Sequence, residues 1–329
     1  MSRNISKLIT NYVLFGLIFA SALSSISAQT FSNEKIWGGE FRSEGVWGIR
    51  SMANGAHYTV SDYDQEKGSN IEKYSYKSGK KIATIVTALD AFEDARESFS
   101  SYTFSADERY ILMTTNTESL YRHSYYADFY IYDTESKELA TPLTDFSKGK
   151  QRLATFSPAA DKVAFVRNNN VFIANLKDGT EVQVTDDGLA NSIINGATDW
   201  VYEEEFGDDN GMKWSPDGTK LAYYRFDETA VRQMHMPVYG GLYPEPYIFK
   251  YPKAGEDNSE VQVYIHDVQT GINHGVAVPK SAHYIPRFFW TNDAETLCIL
   301  TMNRHQNDLR FLLTEGEFPN NRIGTKEIF

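Results

Sequence analysis

Cysteine is almost missing from this chain. Cys298 is the only one in 329 residues, so no intrachain disulfide can staple the fold. It sits in the apolar run Leu297-Cys298-Ile299-Leu300 and reads as a small core residue. Basic charge is also short. Thirty-two Lys and Arg face 44 Asp and Glu, a formal charge of −12. Nucleic-acid binding needs clustered cations, so the balance argues against a nucleic-acid partner. An acidic field draws cationic ligands instead. Catalytic signatures are absent as well. There is no Gly-x-Ser-x-Gly elbow to expose a nucleophile and no His-Glu-x-x-His, and the histidines at 57, 123, 235, 266, 274, 283 and 305 are scattered. No glycine-rich loop is present to cradle a phosphate. The reading therefore assigns this chain no catalytic residue, no metal and no cofactor.

What is present is aromatic and strand-like. Aromatics make up 14%, with 21 Tyr and 20 Phe, a composition that favours strands. Residues 1–28 read as a secretory signal. Arg3 and Lys7 give a basic start, Tyr12 to Ala22 is apolar, and Ser27-Ala28 offers small residues before a cut. The apolar run is about half of the ~20 residues a spanning helix needs. An exported protein without disulfides suits a bacterial periplasm, so periplasmic or envelope localisation is expected. Residues 29–46 form a polar lead.

A repeat then organises residues 47–314. Phe104-Ser105-Ala106-Asp107 leads to Ile111, and Phe156-Ser157-Pro158-Ala159 to Val163. Trp214-Ser215-Pro216-Asp217-Gly218 leads to Leu221, and Trp290-Thr291-Asn292-Asp293 to Leu297. In each copy the apolar residue comes seven positions after the aromatic, and the copies start 52, 58 and 76 residues apart. A further turn signal follows three copies, at Asp133 to Lys137, Leu176 to Gly179 and Asp267 to Gly271. Recurring strand-rich units of this size predict an all-β fold, a β-propeller of about four to five blades. An irregular β-sandwich fits the recurring register less well. From Glu315 the alternation fails, so 315–329 is expected to be an irregular tail.

Two insertions stretch the period. Residues 227–259, rich in Pro, Gly and Tyr, read as a long loop. Residues 186–213 carry Asp199-Trp200-Val201-Tyr202-Glu203-Glu204-Glu205-Phe206, three carboxylates flanked by bulky apolar groups. A short helical turn or loop is expected there, with Trp200 and Tyr202 as wedges. One reading is an ammonium trap, because neighbouring carboxylates can accept all three N–H donors of a charged amino terminus through charge-assisted bonds. The other is a solvated acidic turn. Adjacent residues do not share one helix face, so Glu204 and Glu205 are expected at a sharp backbone turn that lets them approach a ligand from different sides.

The acidic segment resembles the double-glutamate motif of the dipeptidyl peptidase IV family of serine peptidases. Tyr121-Arg122-His123-Ser124-Tyr125 resembles that family's substrate-contacting arginine segment, and Tyr251-Pro252-Lys253-Ala254-Gly255 fits it too. The matches fall in the family's order and run from about Trp47 to Arg304. The resemblance implies an eight-bladed propeller followed by an α/β-hydrolase domain. That leaves the propeller here incomplete and the hydrolase domain, a missing partner, outside this chain. A truncated gene, a frameshift or a partial gene model would each explain the tail. The resemblance further implies that Glu204 and Glu205 hold the free amino terminus of a peptide substrate and that Arg122 contacts a substrate carbonyl, Glu203 lying outside the ligand pair. Full-length relatives can pair as homodimers. The expected function is the recognition part of an exported serine exopeptidase that releases Xaa-Pro or Xaa-Ala dipeptides. The alternative is a non-catalytic periplasmic propeller binding peptides, proteins or glycans.

Overall fold

The computed structural model describes residues 31–43, 45, 48–315 and 322–329. The expected secretory signal at 1–28 lies outside them. The chain divides into two compact units, Met1–Trp47 and Gly48–Phe329. In the first, the described residues form a short helix, α1 (Asn33–Trp37), whose start is capped by Ser32 accepting the Lys35 N–H at 3.3 Å.

The described residues of the second unit form five antiparallel blades. The first holds β1 (Arg50–Ser51), β2 (His57–Asp64), β3 (Gly68–Ser75) and β4 (Lys81–Thr87), and α2 (Ala88–Phe92) leads out of it. The second holds β5 (Ser101–Phe104), β6 (Tyr110–Ser119), β7 (Tyr125–Asp133) and β8 (Thr141–Pro142). The third holds β9 (Arg152–Phe156), β10 (Lys162–Arg167), β11 (Asn170–Asn175) and β12 (Glu181–Gln183). After β13 (Ile193–Asn195) and α3 (Trp200–Phe206), the fourth runs through β14 (Met212–Trp214) and β15 (Lys220–Asp227). A hairpin, β16 (Gln233–Val238) and β17 (Glu245–Lys250), follows before β18 (Glu260–Asp267) and β19 (Asn273–Val276) complete that blade. The fifth holds β20 (Tyr284–Trp290), β21 (Leu297–Met302), β22 (Leu309–Glu315) and β23 (Arg322–Glu327).

The seven-residue spacing is the register of the first hairpin in a blade. Phe104 faces Ile111, Phe156 faces Val163, Trp214 faces Leu221 and Trp290 faces Leu297 as direct cross-strand partners. All four apolar members are fully buried. The hydroxyl after the aromatic closes the turn. Ser105, Ser157 and Ser215 accept the N–H of Tyr110, Lys162 and Lys220, and each donates to a nearby Asp.

The blades stack face to face, which alternation of side chains along a strand permits. On β6, Ile111 and Met113 pack toward the first blade while Leu112 packs toward the third. On β10, Val163 and Phe165 face the second blade, and Ala164 and Val166 face the core shared with the fourth and fifth. Serial packing of this kind is a propeller, not a two-sheet sandwich. Cys298 is buried on β21, paired with Phe289 and Leu313, and burial pushes its thiol pKa up.

Two expectations are corrected. Residues 322–327, read as part of an irregular tail, form β23. It pairs with β22 and lies parallel to β19, joining the outer edges of the last two blades and covering strand groups that would otherwise be exposed. Residues 227–259 are not simply a loop, because β16 and β17 pair in register from Gln233↔Lys250 to Val238↔Glu245. Charged, Pro and Gly residues masked the alternation of this arm.

Candidate functional site: the acidic helix and the arginine loop

The acidic segment folds into α3 because both of its ends are capped. Asp199 is the N-cap, its Oδ1 accepting the Tyr202 N–H at 3.0 Å. Its Oδ2 accepts from Ser259 Oγ at 2.7 Å, fixing the helix start to the residue just ahead of β18. Gly207 ends the helix in the left-handed region at φ 61°, where a side chain would be strained. Thr198 Oγ donates to the Asp208 carbonyl at 2.8 Å and ties the two ends together. The expected sharp backbone turn between Glu204 and Glu205 does not occur. Both lie in regular helix, and the ~100° rotation per residue alone points the three acids in different directions.

Tyr202 is the wedge. It is fully buried, its ring packs edge-on against Phe206, Tyr224 and Phe226, and its hydroxyl accepts the Ile285 N–H at 2.8 Å. Trp200 is only half buried and leans on Tyr251 at 4.4 Å. Arg287 donates to the Phe206 carbonyl. Helix α3 is therefore pinned to the fourth and fifth blades by its apolar face, leaving its acidic face to the site.

Arg122 arrives from the second blade on the loop between β6 and β7. That loop is closed by Leu120 N–H donating to the Ser124 carbonyl at 2.9 Å. The Arg122 side chain is 70% exposed, and its Nε donates to Glu204 Oε2 at 2.8 Å. Glu204 itself is 15% exposed, and Glu205 points outward with no hydrogen-bond or ion-pair partner among the described residues. Of the three residues singled out in the sequence, the structure brings two together, the Arg122 guanidinium on the Glu204 carboxylate, while Glu205 is the next residue of the helix and faces solvent. An ion pair this exposed contributes only about 0–1 kcal/mol to folding.

Sequence reasoning set Glu203 aside, yet the structure makes it the link between the two segments. It is buried, and its Oε1 accepts the N–H groups of His123 at 2.7 Å and Ser124 at 2.9 Å. Nothing in the local sequence distinguishes it from its two neighbours. Only the rotation of a capped helix does. The hairpin arm braces the same place. Tyr247 Oη donates to the Leu120 carbonyl at 3.2 Å, and Phe249 packs on Tyr121 at 6.0 Å between ring centres.

Two buried carboxyls, Asp199 and Glu228, lie near Tyr121. Burial pushes the Asp199 carboxyl up. Glu228 is buried too, and its carboxyl is pushed up to about 7, first by burial and then by the charges of Asp199 and Asp227, which Lys250 only partly opposes. Burial likewise raises the Tyr121 phenol.

Comparison with known proteins agrees with the fold. Residues 105–327 match the family described as the dipeptidyl peptidase IV (DPP IV) N-terminal region. Dipeptidyl peptidase 4 of Sus scrofa is 30% identical over 264 residues, which is 75% of this chain and 34% of that protein. Dipeptidyl peptidase 4 of Trichophyton tonsurans is 32% identical over 257 residues, 74% of this chain and 33% of that protein. The crystal structure of Porphyromonas gingivalis dipeptidyl peptidase 4 superposes with a TM-score of 0.79 at 43% identity, covering 87% of this chain and 40% of that one. The chain thus spans about a third of the length of the curated relatives it matches. With its stacked blades and a family match over residues 105–327, this chain belongs to the dipeptidyl peptidase IV N-terminal region family.

Proposed function

We propose that this chain is the substrate-recognition propeller of an exported, dipeptidyl peptidase IV-like serine exopeptidase. Glu204 and Glu205 grip the charged amino terminus of a peptide, and Arg122 holds a peptide carbonyl. The observation that carries this reading is the Arg122–Glu204 contact beside an unpartnered Glu205. A guanidinium donates and cannot accept, while two carboxylates offer acceptors in several directions. An entering ammonium with three donors finds both acids, and the adjacent guanidinium remains available to a carbonyl oxygen. Binding the amine at a fixed point also measures length, so a nucleophile two residues further along would cut after a dipeptide.

Export to the periplasm or cell envelope rests on residues 1–28. We propose that the full-length protein pairs as a homodimer; in this chain the exposed Tyr239, Leu242 and Tyr243 of the β16–β17 arm, at 79%, 91% and 80% exposure, would be open to such a contact. Contiguous exposed apolar groups of this kind mark association surfaces.

The test is binding of Ala-Pro-Ala against its N-acetylated form, measured by titration calorimetry. Wild type should prefer the free amine, and Glu205→Gln should lose about tenfold or more of that preference, the scale of one charge-assisted bond. The preference should fade above the amine pKa of about 7.7–8.0, where the ammonium loses its proton. Equal binding of the two peptides by wild type sinks the reading and favours a non-catalytic binding propeller.

A further inference from the structure

Glu203 has no place among the ligand contacts above, yet it is the most deeply buried of the three acids, at 1% exposure. One of its oxygens accepts two backbone N–H groups, those of His123 and Ser124, the residues immediately after Arg122. These bonds span about 80 positions of sequence and join the loop of the second blade to the helix ahead of the fourth. The other oxygen, Oε2, has no hydrogen-bond partner among the described residues. The neighbouring Arg152 is 3% exposed, with Nε and Nη2 likewise unpartnered. The two charges feel each other without forming an ion pair. Burial pushes the Arg152 pKa down, and Tyr126 and Glu203 are the leading groups that oppose the shift.

A buried carboxylate with a free oxygen is costly to keep, and a neutral packed residue would cost less. Its return lies in where Arg122 ends up. The Arg122 side chain is mostly exposed, and among the described residues its guanidinium bonds only Glu204. A long, solvated side chain cannot fix its own position. Its backbone must be held, and Glu203 holds the two peptide groups that follow it. We propose that Glu203 is a positioning residue for peptide recognition. Through the amides of His123 and Ser124 it fixes the loop so that the Arg122 guanidinium meets both Glu204 and a substrate carbonyl. The inference rests on the reading of Arg122 as a substrate contact and adds the residue that places it.

The test combines two readouts on the whole chain. Amide hydrogen exchange at His123 and Ser124 reports the clamp itself, and binding of Ala-Pro-Ala reports its consequence. Glu203→Ala should speed exchange at both amides by about tenfold or more, the scale of a lost hydrogen bond to a charged group. It should also weaken Ala-Pro-Ala binding by about the factor that Arg122→Ala does. The Arg122→Ala, Glu203→Ala double variant should bind no more weakly than Arg122→Ala alone, because residues acting through one another are not additive. Glu203→Gln keeps an acceptor oxygen and should restore most of the protection and the binding. It also carries the test should the alanine variant not fold. Unchanged exchange in Glu203→Ala overturns the clamp. Losses that multiply in the double variant show a general structural role and overturn it too. Equal binding of free and acetylated peptide by wild type sinks the recognition reading instead, and exchange at the two amides then decides whether the loop is clamped.

Discussion

The two insertions around the fourth blade are built in opposite ways. The acidic one sends an aromatic ring into the core: Tyr202 is enclosed by Phe206, Tyr224 and Phe226, and the helix around it is capped at both ends. The hairpin arm keeps its large apolar groups outside, at Val238, Tyr239, Leu242 and Tyr243. One strand of it is anchored, by Tyr247 and Phe249 on the Arg122 loop, and at its base Lys250 Nζ donates to the Val231 carbonyl at 2.6 Å. The difference teaches that chemistry in this fold is positioned by burial of a neighbour. The site acids are ordered because the residue before them is in the core. The arm is paired along its own length and anchored to the blades where it touches the site.

Breaking the anchor should have the largest effect. Tyr202→Ala removes a buried ring and should cost about 3–5 kcal/mol of stability, read as a fall in the melting midpoint. A wild-type melt would show that the insertion does not depend on its wedge. The second effect is on pH. Glu228 has a folded pKa of about 7 against an ordinary 4.5, so the folded state binds more protons between those values. Its contribution is fully present below about pH 4.5 and is lost as pH rises through about 7, on the order of 1–3 kcal/mol. Glu228→Gln should flatten this decline but leave a remainder, because Asp199 is shifted the same way. A slope unchanged between pH 5 and 7 would remove Glu228 from the account.

Capping comes next. Asp199→Ala should cost about 1 kcal/mol from the lost N-cap, and Asp199→Asn, which retains an acceptor oxygen, much less. Equal losses would mean that charge rather than capping holds the helix. The smallest effect on folding should come from the arm tip. Leu242→Ser with Tyr243→Ser should move stability by no more than about 0.5 kcal/mol, as surface changes do, while lowering self-association in sedimentation. A clear fall in melting midpoint would show the tip packed rather than freestanding and would undo the contrast between the insertions.

Several features were legible in the sequence for a definite reason. The aromatic, the hydroxyl and the apolar residue seven positions on are a hairpin written locally, so the blades could be read, and the structure pairs the aromatic with the apolar residue in all four. Arg122 and Glu204 were singled out through their motifs, and the structure brings them within 2.8 Å of each other. The arm was missed because Pro237 and Pro246 face each other inside it, an arrangement that a strand pattern discourages. Strand β23 was missed because only Ile323 of its six residues is buried, so no apolar alternation marks it.

The sequence alone therefore determined the local units: hairpins, caps and the adjacency of three acids. Tertiary structure decided which acid does what. A helix rotates successive side chains to different faces, and which face meets protein is set by long-range packing. Tyr202 entering the core turns Glu203 onto the His123 and Ser124 amides, Glu204 toward Arg122 and Glu205 to solvent.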